Sequence, residues 1–181
     1  MEYFDRRELV FIGMICVMTI VVVWVVNMTA AAIAPGAPGL KSMTAGFFGS
    51  IVIAIGLAKV KKVGTLSLIG ITTGLFHGFI SPAVPILFPS SAIGGIFGDI
   101  ITKLLRGDYS SRKLIILACA NKVFAGTLII FILMILFGFP RAIMNPFVIL
   151  AISAVCSILG AAGGYIGTSI SGELKKAGVI Q

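Results

Sequence analysis

Long apolar runs broken at charges, Gly and Pro dominate the chain, and they divide it into six segments. These cover about Leu9 to Met28, Met43 to Ala58, Val63 to Ile80, Ile86 to Leu105, Leu114 to Phe139 and Phe147 to Ser171. Pro35, Pro82 with Pro85, and Pro140 fall in the breaks. Each run is close to the roughly 20 residues a helix needs to cross a bilayer. Runs such as Leu128 to Phe137 show no alternation of polar and apolar positions, so they are not barrel strands. Lipid offers no partner for backbone N–H and C=O groups, which leaves helices. The expected fold is an all-α membrane protein: one integral membrane domain over residues 1–181, with six transmembrane helices in a single bundle.

Composition strengthens this reading. Hydrophobic residues make up 59% and charged residues 11%, against roughly 25% charged in a soluble domain. That is too little charge to cover a water-facing surface, and too much hydrophobicity for disorder. The first run is too long for a signal-peptide core and is read as the first span.

The net charge of +8 would suggest nucleic acid in a soluble chain. Here the basic residues lie mostly between the apolar runs. Arg6, Arg7, Lys59, Lys61, Lys62, Lys103, Arg106, Arg112, Lys113, Lys175 and Lys176 fall on one side, with only Lys41 and Arg141 on the other. Such an imbalance places both termini in the cytoplasm of a multi-pass cell-membrane protein, with anionic head groups rather than nucleic acid as the partner.

A weak repeat relates Gly46-Phe47-Phe48-Gly49-Ser50-Ile51 to Gly95-Ile96-Phe97-Gly98-Asp99-Ile100, and more loosely to Gly164, Gly167 and Thr168. Small residues three apart let helix backbones approach closely in a bilayer. The pattern is read as packing of helix halves or, alternatively, as a duplicated hairpin.

Groups able to do covalent chemistry are scarce. Cys16, Cys119 and Cys156 lie on three different spans without ligand-type spacing, and no phosphate loop, nucleophile elbow or metal motif is present. The chain is expected not to be an enzyme and to need no cofactor and no metal.

Two charges fall inside spans. Asp99 is seven residues before Arg106 and Lys122 nine after Lys113, which sets both about 10–14 Å from the same end of adjacent helices. A charge in the bilayer costs about 2.5–3.5 kcal/mol by insertion scales, so an Asp99–Lys122 intramembrane pair is expected. It could lock two helices, couple to a partner or touch a ligand, and Lys122 could instead snorkel to the interface.

Toward the other side, Trp24, Asn27, His77, Ser90, Ser91, Arg141 and Asn145 lie near irregular Pro- and Gly-rich connections. Individually, His77 reads as a hydrogen-bonded histidine and Trp24 as an interfacial anchor. Together they outline a polar recess on the outer side that binds a substrate. With Lys41 and Arg141 and no carboxylate, the recess suits a small neutral or anionic solute better than a divalent metal.

Several stretches resemble S components of energy-coupling-factor (ECF) vitamin transporters, in the MptD/Trep_Strep-like group. They are Arg7-Glu8-Leu9-Val10-Phe11-Ile12-Gly13, Ala58-Lys59-Val60-Lys61-Lys62-Val63-Gly64 with Gly70 and Gly74-Leu75 after it, Gly94-Gly95-Ile96-Phe97-Gly98-Asp99, and Gly107-Asp108-Tyr109-Ser110-Ser111-Arg112-Lys113. The last is similar to the family's Gly-x-Tyr-x-Ser-x-Lys loop, and the resemblance spans roughly residues 5 to 130. It implies a six-helix subunit that captures a scarce vitamin-like micronutrient from outside. Such subunits dock on a membrane T component driven by cytoplasmic ATPase subunits, and are thought to topple to release the substrate. The family's Ala-x-x-x-Ala docking patch is missing from the first half of span one, and the nearest match, Ala30 and Ala34, lies at its other end. Docking is therefore expected through Gly13 or the small-residue faces around Gly49, Gly98, Gly164 and Gly167. Two alternatives remain: a secondary carrier using Asp99 as a proton or sodium site, and a structural subunit of a membrane complex.

Overall fold

In a computed structural model of the protein, residues 4–33, 39–80, 84–105, 107–138 and 145–178 are described, except for the side chains of 78–80 and 84–85. They form six helices: α1 Arg6–Ile33, α2 Leu40–Val60, α3 Thr65–Ile80, α4 Val84–Leu104, α5 Arg112–Leu136 and α6 Pro146–Lys176. There is no strand among the described residues.

Local signals account for the ends. Gly39 takes a left-handed φ of 81° immediately before α2, a conformation that costs glycine little. Pro146 opens α6 at its first turn, where its missing N–H has no helical acceptor to lose. Pro89 lies inside α4 and removes one backbone bond from its outer half.

The helices close into a ring, with the main contacts running α1–α2–α6–α5–α4–α3 and a lighter seam returning from α3 to α1. Large apolar side chains cover the outside, including Val10, Met14, Val17, Val21 and Val25 along α1 and Phe147, Leu150 and Ile158 along α6. An apolar exterior this continuous is tolerated only against lipid or another protein. Among the described residues, four helices (α1, α2, α5 and α6) are long and apolar enough to cross a membrane, and Thr65–His77 of α3 forms a shorter apolar helix.

The two ends of the ring are filled differently. One end is solid: Ile12, Ile15, Val52, Leu57, Leu66, Ile69, Tyr109 and Ile115 form a continuous apolar core. This is the end that carries the basic clusters of the loops. The opposite half of the ring is open.

Candidate functional site

The open half holds a cavity of about 530 Å³. That lies within the ~300–1,000 Å³ typical of small-molecule sites. Helices α1 to α5 all contribute to its wall.

Five of the seven residues expected to bind substrate border it: Trp24 and Asn27 from α1, His77 from α3, and Ser90 and Ser91 from α4. Arg141 lies outside the described residues. Asn145 has a different role, because its side chain accepts the Phe147 N–H at 3.0 Å and caps α6. Asparagine is a preferred N-cap, and replacing it by alanine typically costs ~1 kcal/mol. Asn145→Ala should lower the unfolding temperature in detergent slightly and leave solute binding unchanged; a binding defect without a stability loss would return Asn145 to the site.

Within the cavity a chain of polar contacts joins α3 to α4. Thr73 Oγ1 donates to the Ile69 carbonyl at 2.6 Å and lies 3.1 Å from Ser91 Oγ, while His77 Nδ1 is 2.9 Å from the Thr73 carbonyl. Each turn of α3 thus places one polar group on the same wall. On α1, Thr19 lines the cavity one turn below Val23 and donates to the Ile15 carbonyl at 2.7 Å.

Lys122 of α5 also lines the cavity. By solvent accessibility it is only half-buried although protein surrounds it, because the surface it keeps belongs to the cavity. Thr19, Ser50, Thr73 and Thr127 join it, residues that hydrophobic patterning does not separate from ordinary helix-face hydroxyls. Their signal was the recurrence of Ser or Thr near the middle of every wall helix. No carboxylate is among the described lining residues.

The expected Asp99–Lys122 pair does not form. Asp99 is buried at the solid end, where its carboxylate accepts the Ser67 backbone N–H at 2.7 Å, the Ser67 hydroxyl and the Tyr109 phenol. The ion pairs among the described residues are Lys62–Glu8 at 2.9 Å and Lys176–Glu173 at 2.8 Å. Gly94 packs against the Lys122 carbonyl and Gly98 against the Ala118 carbonyl, so Asp99 lies about one turn nearer the solid end than Lys122.

Most of the glycines expected to dock a partner face inward instead. A methyl group at Gly49 would meet Val23 of α1 at 3.3 Å, at Gly98 the Leu66 side chain at 2.5 Å, at Gly164 Cys119 at 3.2 Å, and at Gly167 the Ile51 carbonyl at 2.4 Å. Residues already packed against helices of their own chain have no face left for a partner. Gly13, with nothing within 4 Å, is the exception.

The whole arrangement can be compared with known structures. A solved structure described as the crystal structure of an S-component of an ECF transporter superposes with a TM-score of 0.72. The match covers 98% of this chain and 88% of that one at 19% identity, a likeness of fold. No curated protein matches the sequence. A family model described as a hypothetical bacterial integral membrane protein (Trep_Strep) matches residues 6–145, and the chain therefore belongs to the Trep_Strep family of integral membrane proteins.

Proposed function

We propose that this chain is the substrate-binding membrane subunit of an ECF-type ABC importer. All six helices cross the cell membrane, both termini are cytoplasmic, and the cavity faces the exterior. A small neutral or anionic organic nutrient of vitamin-like size enters the cavity. The loaded subunit then docks on a membrane T component, and cytoplasmic ATPases of the partner module drive release inside. The chain itself performs no covalent step.

The observation that carries this reading is the asymmetry of the ring: a cavity set with polar groups among apolar walls at one end and a solid core at the other. The basic residues gather at the solid end, which the positive-inside rule assigns to the cytoplasm. A cup sealed below and open above can load from outside but cannot pass its solute through unaided. That geometry calls for a larger rearrangement driven by partners. The S-component fold agrees with it. Of the docking candidates, Gly13 remains, on the exposed face of α1 beside Met14 and Val17.

The carrier reading draws no support from Asp99, whose oxygens are engaged by Ser67 and Tyr109 away from the cavity.

Uptake measured in cells should require co-expression of a T component and its ATPases and should persist when ion gradients are collapsed. Uptake by the chain alone, abolished by an ionophore, would replace the importer reading with a carrier. A captured solute should also raise the unfolding temperature, because a ligand at 100 times its Kd adds about 2.7 kcal/mol to stability.

A further inference from the structure

On the α1, α3 and α4 walls of the cavity the hydroxyl protons are already engaged, while Trp24 Nε1 and the Asn27 amide remain as donors on α1. Thr19 Oγ1 donates to the Ile15 carbonyl at 2.7 Å, Thr73 Oγ1 to the Ile69 carbonyl at 2.6 Å and Ser90 Oγ to the Leu87 carbonyl at 2.9 Å. Because the Thr73 proton is engaged, Ser91 donates in the 3.1 Å contact between their hydroxyls. A hydroxyl has one proton, so these four groups offer a ligand only lone pairs. The Thr73 carbonyl can only accept, so the His77 ring donates to it from Nδ1 and leaves Nε2 as its remaining polar atom. Asn27 Oδ1 is buried without a hydrogen-bond partner among the described residues.

Against these acceptors stands one deep cation. Lys122 makes no ion pair or hydrogen bond among the described residues, and the ionisable groups in its surroundings are Cys16, Cys119 and His77 rather than a carboxylate. Its backbone is fixed by packing. A methyl group at Gly94 would come within 2.7 Å of the Lys122 carbonyl, so α4 and α5 touch at this turn and α5 cannot easily rotate here. An ammonium inside a membrane protein is costly unless it is paired. The exposed Lys41 adds a second positive charge to the cavity wall.

We propose that the cavity's ligand is a small organic anion with its own N–H or O–H donors. Its negative group is held by Lys122, and its donors meet the lone pairs of the hydroxyl wall. This rests on the cavity being the capture site, and it narrows the solute from neutral or anionic to anionic.

The test uses Trp24, the chain's single tryptophan, which lines the cavity. In the purified full chain in detergent, Trp24 fluorescence is quenched with iodide, caesium and neutral acrylamide. Each normalised to its quenching of free N-acetyltryptophanamide, iodide should quench the wild type at least ~3-fold more strongly than caesium, as attraction to a low-dielectric cation site requires. Lys122→Gln should remove that advantage and leave acrylamide quenching unchanged, Lys122→Arg should restore it, and Lys41→Gln should leave most of it. In parallel, 4-aminobenzoate and 4-aminobenzamide, alike in shape and amine donors but different in charge, are compared as protectants against heat. The acid should protect the wild type and lose its effect in Lys122→Gln.

Equal normalised quenching by iodide and caesium in the wild type overturns the proposal even if Lys122→Gln fails to fold, and so does equal protection by the acid and the amide. If acrylamide still reaches Trp24 in that case, the capture reading stands and only the charge assignment fails. If acrylamide is excluded as well, the cavity is closed and the capture reading fails with it.

Discussion

Asp99→Ala is expected to destabilise the protein by about 3–5 kcal/mol, because it leaves one buried and two part-buried donors without their acceptor. Those donors are the Ser67 N–H, the Ser67 hydroxyl and the Tyr109 phenol. Ser67 is the third residue of α3, and the first N–H groups of a helix have no acceptor within it. Asp99 supplies that acceptor from α4, with its charge at the favourable end of the α3 dipole. Tyr109 is completely buried, and its N–H donates to the Lys61 carbonyl at 3.1 Å. One carboxylate thus ties the α4–α5 loop, the α2–α3 junction and the start of α3 together. Burial, reinforced by the neighbouring Asp99, pushes the Tyr109 phenol upward, so it remains a donor throughout the physiological range.

A chain of this size should lose on the order of 10 °C in unfolding temperature in Asp99→Ala, at ~2–4 °C per kcal/mol. Tyr109→Phe removes one of the three bonds and should cost about 1–3 kcal/mol. Heat denaturation in detergent measures both. An ion-coupling role for Asp99 predicts a different result: lost uptake in Asp99→Asn at unchanged stability. That outcome would revive the carrier.

The contrast between Asp99 and Lys122 shows where sequence reasoning reaches its limit. Position along an apolar run fixes depth, because each helical residue advances about 1.5 Å. Direction around the axis depends on which neighbours the helix meets, and no single run contains that information. Similar spacing from the basic ends therefore suggested a pair, while packing set Asp99 against Ser67, about one turn nearer the solid end, and Lys122 against the cavity.

The same limit applies to the glycines. Their spacing marked small-residue faces at Gly49, Gly98, Gly164 and Gly167, but not that these faces meet helices of their own chain. Helix existence was easier to read, since an apolar run flanked by charge, Gly or Pro has few alternatives in lipid. The ends moved by several residues. α1 continues past Met28 through Thr29 to Ile33, where Ala30, Ala31 and Ala32 favour helix, and α6 continues through its charged end to Lys176. Trp24, Asn27, His77, Ser90 and Ser91 were legible because polar groups in apolar runs are costly and so gather where a cavity accepts them.

The second large effect is expected at the seam between α2 and α6. A methyl group added at Gly163 would lie 2.2 Å from the Phe47 carbonyl oxygen, and one at Gly167 would lie 2.4 Å from the Ile51 carbonyl oxygen. Both obstacles are backbone atoms of one helix, one turn apart, so no rotamer change relieves the clash. α2 would have to move away from α6 along this stretch. The displacement would also reach the cavity, because α2 contributes Gly46, Gly49 and Ser50 to its wall. Overpacking of this kind costs typically ~1–3 kcal/mol and more where the backbone must shift. Gly163→Ala and Gly167→Ala should therefore each lower the unfolding temperature by several degrees, and the double variant should fail to yield folded protein. Gly172→Ala is the internal control on the same helix: nothing lies within 4 Å of the added methyl group. Replacing an unobstructed helical glycine by alanine stabilises by roughly 0.5–1 kcal/mol. Opposite signs along one helix would show that the glycines at 163 and 167 exist for contact within the chain. A Gly167→Ala protein of normal stability that binds its solute but no longer transports it would instead place that glycine at a partner's surface.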